Sequence, residues 1–370
     1  MENPFIISTY KHPSFFCDRE KETEQLKQSL YNGINTVLLS LRRLGKTGLI
    51  KHLFYNLKTD KNVYTFYFDI MNTSSVEEFT DRFANAVLGT FNSKSKRIFN
   101  NVLKFFSAFR PTITFDEFTG TPVISFNSQK QEQSKESIVA ILNYLEKQDK
   151  RIFIAIDEFQ QITKYKNERF EAFLRSHIQH LNNVSFIFSG SQQNILTSMF
   201  ASYSRPFYQS AGFLKLERIP DDIYADFIQR KFKETKKTIC REQIDDILQW
   251  LDNYTFYVQS FCNKLWFLSG KIITKKDIDN TKQYIINEHD FIYSNLQNIL
   301  TSAQYNLLKS IAIEGGVRQP SAKEFINKYN LGTTSTVSSA IKALMEKELI
   351  YSENNIYKVY DVFLAKWFLH

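Results

Sequence analysis

The sequence predicts an α/β domain built on a parallel sheet, followed by an all-helical region and by a C-terminal unit of three helices and a hairpin. Three observations predict this. Short apolar runs of buried-strand type alternate with helical periodicity over roughly the first two hundred residues. Three of these runs end in polar clusters, Gly45-Lys46-Thr47, Asp157-Glu158 and Ser189-Gly190-Ser191, as expected where parallel strands share one carboxyl edge. Beyond about residue 217 the periodicity is helical only, and strand-like runs return only near the C-terminus.

The elements follow in order. Asp18 is placed to cap a polar helix whose inner face carries Leu26 and Leu30. Thr36-Val37-Leu38-Leu39 is a buried strand, and after Gly45-Lys46-Thr47 a helix presents Leu49, Ile50, Leu53 and Phe54. A second strand runs from Val63 to Ile70, and Thr73-Ser74-Ser75 caps a helix from Val76 to about Gly89. Ile152–Ile156 and Val184–Phe188 are the next buried strands, with a helix near 167–181 between them. Residues 92–115 interrupt this pattern. They carry Lys94, Lys96, Arg97, Lys104 and Arg110 without an acid, interleaved with Ile98, Phe99, Val102, Leu103, Phe105, Phe106 and Phe109. A hairpin, 112–115 with 123–126, follows across Thr119-Gly120-Thr121-Pro122. This block reads as an insertion, packed on the core or exposed as a basic, aromatic docking surface for a protein partner. In the helical region Ile223, Phe227 and Ile228 share one face, Ile244, Ile247 and Leu248 another, and Leu265, Trp266 and Leu268 continue the apolar series. Helices near 302–313, 321–329 and after Thr333-Thr334-Ser335, then strands flanking Asn354-Asn355, make a winged-helix pattern. The expected domains are 1–216, with the insertion at about 92–130, then 217–295 and 296–370.

Composition narrows the class. The chain has 370 residues, and its 34 Phe and 19 Tyr predict aromatic cores. The formal charge of +8 permits an anionic partner without requiring one. Cys17, Cys240 and Cys262 are too scattered for a disulfide framework or a zinc site, which suits a reducing compartment. No run approaches the ~18 apolar residues of a membrane span, so a soluble, cytoplasmic protein is expected.

The chemistry concentrates at the three polar strand ends. A phosphate-binding loop needs inward backbone N–H groups, a helix N-terminus and a mobile cation. The stretch Ser40-Leu41-Arg42-Arg43-Leu44-Gly45-Lys46-Thr47-Gly48 offers them, with Lys46 for the β- and γ-phosphates and the Thr47 hydroxyl for Mg²⁺. Ser40 stands where the usual pattern has its first glycine. Asp157 is the second candidate Mg²⁺ ligand, Glu158 the residue that orients and deprotonates water, and Ser191, or Ser189, a γ-phosphate sensor. His177 and His180, three residues apart, lack a third ligand nearby, and Ser189-Gly190-Ser191 lacks a hydrolase elbow.

These residues resemble the AAA-type, STAND-like P-loop ATPases of archaea and bacteria that carry a C-terminal winged helix. The resemblance rests on Phe16-Cys17-Asp18-Arg19-Glu20, Arg42-Arg43-Leu44-Gly45-Lys46-Thr47, Ile156-Asp157-Glu158-Phe159, Phe188-Ser189-Gly190-Ser191 and Tyr360-Asp361-Val362-Phe363 with Trp367, and covers nearly the whole chain. It implies sheet order 5-1-4-3-2, a helical lid over 217–295, ATP with Mg²⁺, and an adenine contact from the Phe16–Glu20 segment, including Phe16 and Arg19. Relatives often place an arginine soon after the sensor strand. Here that stretch reads Pro206-Phe207-Tyr208-Gln209-Ser210, and the nearest transition-state cations are Arg205 and Arg175. The lid motif appears as Asn253–Gln259, with no evident cation.

The expected function is Mg²⁺-dependent ATP hydrolysis coupled to movement of the lid and winged helix. An alternative is a nucleotide-gated regulator that binds DNA or protein with negligible turnover, and a small-molecule kinase is a third reading. The winged helix offers DNA the face Thr336, Ser338, Ser339 and Lys342, although residues 301–370 hold eight basic against six acidic residues, a weak electrostatic footprint. The alternative use of the winged helix is an inter-domain clamp that reports nucleotide state, and an oligomer is compatible with the sequence.

Overall fold

A computed structural model describes residues 2–92, 96–107, 112–115, 122–125, 131–166 and 169–370. The chain forms two compact units, Thr9–Arg218 and Met1–Ser8 with Ile219–His370.

The first unit is organised by a five-stranded parallel sheet. Its strands are β1 (Thr36–Ser40), β2 (Val63–Asp69), β5 (Arg151–Asp157), β6 (Val184–Gly190) and β7 (Gly212–Leu216); β3 (Thr112–Phe115) and β4 (Pro122–Ser125) form a separate hairpin. The sheet order is β2-β5-β6-β1-β7. Numbering only the parallel strands, this is 5-1-4-3-2 read from the other edge, as the resemblance implied. β6 is buried along its whole length, which explains its unbroken apolar run. β7 escaped the sequence reading. It is an edge strand, paired in parallel with β1 alone among the described residues, and Gly212, Phe213 and Lys215 are exposed, so no continuous apolar run marks it.

One face of the sheet packs on a phenylalanine-rich core. Phe159 lies 4.5 Å from Phe188 between ring centroids, and Phe68 stacks on Phe83 at 5.3 Å, geometries that add to simple area burial. In the insertion, the helix Lys96–Ser107 buries Val102 and packs Leu103 and Phe105 against that core, with Phe105 stacked 4.5 Å from Tyr144. Those three pack on the core; the side chains of Lys94, Lys96, Arg97, Ile98, Phe99, Phe106, Phe109 and Arg110, predicted for the same surface, lie outside the described residues. The first helix is Glu20–Tyr31, and its N-cap is Arg19, not Asp18. Both residues adopt left-handed backbone (φ 58° and 80°), so the chain turns in before a side-chain cap forms.

The second unit joins the helices Asp221–Glu234, Arg241–Trp250, Thr255–Leu268 and Lys275–Ser294 to the C-terminal helices and hairpin. Phe227 and Ile228 lie on the inner face as predicted, but Ile223 is exposed, and Tyr224 and Phe232 complete that face. Likewise Leu268 is exposed while Leu265 is buried. The hairpin pairs β8 (Ile350–Glu353) with β9 (Ile356–Val359). Asn354 and Asn355 between them have φ of 51° and 61°, the left-handed pair a tight two-residue hairpin requires. Val317 adds an isolated antiparallel bridge to Tyr357. Asp361 caps the last helix by accepting from the N–H groups of Phe363 and Leu364. That helix drives Phe363 against Tyr257, 4.8 Å away, and Trp250, 6.3 Å away. Among the described residues no helix is long and apolar enough to cross a membrane.

Candidate active site

The site lies at the carboxyl edge of the sheet in the first unit. β1 feeds the loop that ends at Gly45, and the helix Lys46–Asn56 begins there. Its first backbone bond is Leu49 N–H to the Gly45 carbonyl, 2.9 Å. The first-turn N–H groups before it have no intrahelical acceptor, as at any helix start, and form an anion seat. Gly45 has φ 96°, a conformation that glycine reaches at little steric cost. Ser40 is different. It is the last residue of β1, does not have a positive φ, and its hydroxyl donates to the Leu41 carbonyl at 2.8 Å. The position of the missing glycine is extended backbone here and needs no glycine.

Lys46 turns away from solvent into the acids. Its Nζ lies 3.0 Å from Glu158 Oε1 and 3.2 Å from Asp157 Oδ1. Thr47 donates its hydroxyl to Asp157 Oδ2 at 2.7 Å, and Ser189 donates to Oδ1 at 2.7 Å. Glu158 has φ 57°, in the left-handed region, an uncommon state for a non-glycine that here turns its carboxylate back beside β6. Glu158 Oε2 accepts from the Ser191 hydroxyl at 2.8 Å and the Ser191 N–H at 3.2 Å. Lys46, Thr47, Asp157, Glu158, Ser189 and Ser191, predicted from three separate strand ends, therefore form one bonded network.

Its electrostatics follow from burial and pairing. Burial alone would raise the Asp157 carboxyl, but the Lys46 ammonium and the hydroxyls of Thr47 and Ser189 outweigh it and hold the group below the usual range. At Glu158 burial again pushes upward, as does Asp157, while Lys46 and the Gln160 amide prevail and keep it low. Both acids are thus carboxylates at neutral pH.

Two members of the network had no place in the sequence reading. Tyr67 donates its hydroxyl to Asp157 Oδ2 at 3.1 Å, and Gln160 donates Nε2 to Glu158 Oε2 at 2.6 Å. The alternation of β2, which buries Phe66 and Phe68 and leaves Tyr67 and Asp69 on the other face, is the one signal that pointed to Tyr67.

The remaining predicted residues lie nearby or elsewhere. The Phe16 ring stacks on His52, centroids 4.2 Å apart, and a Cβ on Gly48 would sit 3.4 Å from it, so Phe16 borders the first turn of the loop helix. Arg19 is buried and donates to Glu22 at 2.9 Å and to the Glu217 carbonyl at 2.6 Å. Leu44 is buried, Leu41 and Arg42 are half-buried, and Arg43 is exposed with φ 67°. The Arg205 guanidinium is ion-paired with Glu171, and Arg175 is half-buried on the helix Phe170–Ile178. Among the described residues, no group of three or more His, Cys, Asp or Glu could hold a metal ion.

Comparison with known proteins agrees with this architecture. No curated protein matches the chain in sequence. Among solved structures, a Walker-type ATPase of Pyrococcus abyssi is similar at TM-score 0.69 and 18% identity, over 99% of this chain and 100% of that one. The ORC2 protein of Aeropyrum pernix, in ADPNP–ADP complexes, is similar at TM-score 0.56 and 13% identity, over 95% and 92% of the two chains. The ORC1 protein of the same organism, in complex with DNA, gives 0.54 and 12%, over 96% and 93%. Residues 291–370 match the model of a "probable winged helix domain". Residues 16–261 match the model of an ATPase domain found predominantly in Archaea, and the chain belongs to that P-loop ATPase family.

Proposed function

We propose that this chain binds ATP with Mg²⁺ at the Lys46–Asp157–Glu158 network and hydrolyses it, and that nucleotide state moves the helical and winged-helix parts. In this reading residues 1–216 bind nucleotide, 217–295 act as a lid and 296–370 are the winged helix. The single observation that carries it is that one lysine at a helix N-terminus contacts both acids of a strand end while the adjacent threonine contacts the first of them.

The donors suit Mg²⁺: a hydroxyl and a carboxylate, hard oxygen ligands few enough to leave room for phosphates and water. Thr47 and Asp157 would hold the ion, which when bound neutralises charge on the β- and γ-phosphate oxygens. Lys46 leaves the carboxylates to meet the phosphates, the first-turn N–H groups cradle them, Glu158 takes the proton of the attacking water, and Ser191 bonds the γ-phosphate. Phe16 borders the base. Arg175 is the remaining candidate for a transition-state cation, since Arg205 is engaged by Glu171.

The test is equilibrium ATP binding and phosphate release. Lys46→Ala should weaken ATP binding by at least about tenfold, and Glu158→Gln should bind ATP but lose about 100-fold or more in turnover. ATP binding by Lys46→Ala at wild-type affinity overturns the reading.

DNA binding is a second reading, favoured by one observation. On the helix Thr334–Glu346, Thr336, Ser338, Ser339 and Lys342 are exposed, while Val337, Ala340 and Leu344 are buried. Duplex binding should fall with salt, and Lys342→Ala should reduce the slope by about one. Duplex affinity indifferent to both would remove DNA as the partner.

A further inference from the structure

We propose that Gln160 is a positioning residue for Glu158 and divides its carboxylate into a fixed oxygen, Oε2, and a working oxygen, Oε1. The inference rests on the ATPase reading above for its consequence, although its geometry stands apart from it.

The two oxygens have different surroundings. Oε2 accepts from three donors: Gln160 Nε2 at 2.6 Å, the Ser191 hydroxyl at 2.8 Å and the Ser191 N–H at 3.2 Å. Gln160 lies on the turn Phe159–Lys164 and Ser191 directly follows β6, and both residues are buried. Oε1 is held by Lys46 Nζ at 3.0 Å, at the tip of a side chain with four rotatable bonds. An oxygen that already accepts three hydrogen bonds has little lone-pair density left for a proton. Oε1 becomes available whenever Lys46 moves to a phosphate.

Gln160 is built in rather than incidental. It is buried at 3% exposure, on the turn Phe159–Lys164 that follows Asp157-Glu158. Its Oε1 is buried without a hydrogen-bond partner, and exchanging the amide oxygen and nitrogen would set oxygen against Glu158 oxygen. The bond to Glu158 therefore fixes the orientation of the amide. Gly190, the last residue of β6, makes room for it. A Cβ there would fall 1.9 Å from Gln160 Oε1 and 3.0 Å from its Cδ. Gly190 does not have a left-handed φ, so what a side chain there would meet is the amide pressed against it and not a strained backbone.

The chemical step is then defined by atom. The water oxygen bonds to the γ-phosphorus as the bond from that phosphorus to the β–γ bridging oxygen breaks, its electron pair leaving on ADP. The water proton passes to Glu158 Oε1, and Oε2 stays hydrogen-bonded throughout.

The experiment uses the full chain and reads kcat and KM for ATP separately, with equilibrium ATP affinity beside them. Gln160→Ala should lower kcat on the order of ten- to 100-fold, with KM changed by less than about twofold and ATP affinity held. Gly190→Ala, which removes no polar group but crowds the amide, should show the same split. Gln160→Glu, isosteric but without the N–H donor, should not restore kcat above that of Gln160→Ala. A Gln160→Ala kcat within about twofold of wild type, or a fall in kcat matched by loss of ATP affinity, overturns the proposal. If Lys46→Ala and Glu158→Gln both hydrolyse ATP normally, the ATPase reading fails and the proposal fails with it. If they are inactive while Gln160→Ala turns over normally, the positioning role alone fails.

Discussion

Replacing Lys46 should destabilise the sheet unit in a way that depends on pH. Lys46 is the cation shared by Asp157 and Glu158, and the three side chains are 9%, 3% and 13% exposed. Lys46→Ala leaves two enclosed carboxylates facing each other. Removing one partner of a buried ion pair costs about 3–5 kcal/mol, and the slight opening at Glu158 places this case near the lower end, about 3 kcal/mol. For a unit of roughly 200 residues that is a fall in Tm of roughly 6–12 °C. The sign with pH follows from the directions above. In the wild type both carboxyls are held below their unfolded values, so their contribution is present above the ordinary carboxylate range, near pH 4, and is lost as pH falls through the folded values. In the variant, burial and mutual repulsion act unopposed and raise both groups, so the penalty is relieved as the pH falls. The gap between the two proteins should therefore be widest near neutrality and narrow towards pH 4. Differential scanning calorimetry across that range measures it, following the transition that ATP shifts upward in the wild type. Lys46→Met keeps most of the packing and should show the same pH dependence, and the double variant Lys46→Ala/Glu158→Gln should recover about half of the loss. A gap that is constant with pH, or a double variant no more stable than Lys46→Ala, refutes the shared-cation account.

Three further outcomes are expected. Tyr67→Phe removes the phenol that donates to Asp157 Oδ2 at 3.1 Å; loss of such an outer support should raise the Mg²⁺ concentration needed for nucleotide binding about tenfold, read from Mg²⁺ titrations with a fluorescent ATP analogue, and an unchanged midpoint dismisses the role. Ser40→Gly restores the usual loop glycine at a position whose backbone does not use it, so ATP affinity should stay within about twofold, and a large gain in affinity would show that Ser40 strains the loop. Phe363→Ala empties the place packed by Tyr257, Trp250 and His289 and should cost the second unit about 3–5 kcal/mol, seen as a lower melting transition.

What could be read in the sequence, and what could not, divides along a physical line. β1, β5 and β6 were legible because strands covered on both faces are written as unbroken apolar runs. β7 was not, because at the edge only Leu216 is fully covered and Phe213 stays 48% exposed. Helix faces were legible to within one residue: choosing Ile223 over Tyr224 follows hydrophobicity, whereas Tyr224 is buried because its hydroxyl finds the Thr255 carbonyl at 3.2 Å. In the site, Lys46, Thr47, Asp157, Glu158 and Ser191 were legible because each side chain carries recognisable chemistry at a strand end. Tyr67 and Gln160 carry theirs only through the atom they touch, and nothing in the neighbouring letters names that atom. Gly190 makes the distinction sharpest. In sequence it is one more glycine between two serines, easily assigned to a turn. In three dimensions its backbone is ordinary, and a methyl group there would collide with the amide that holds Glu158. A residue chosen for the space it leaves has no signature of its own until the group that fills that space has been placed.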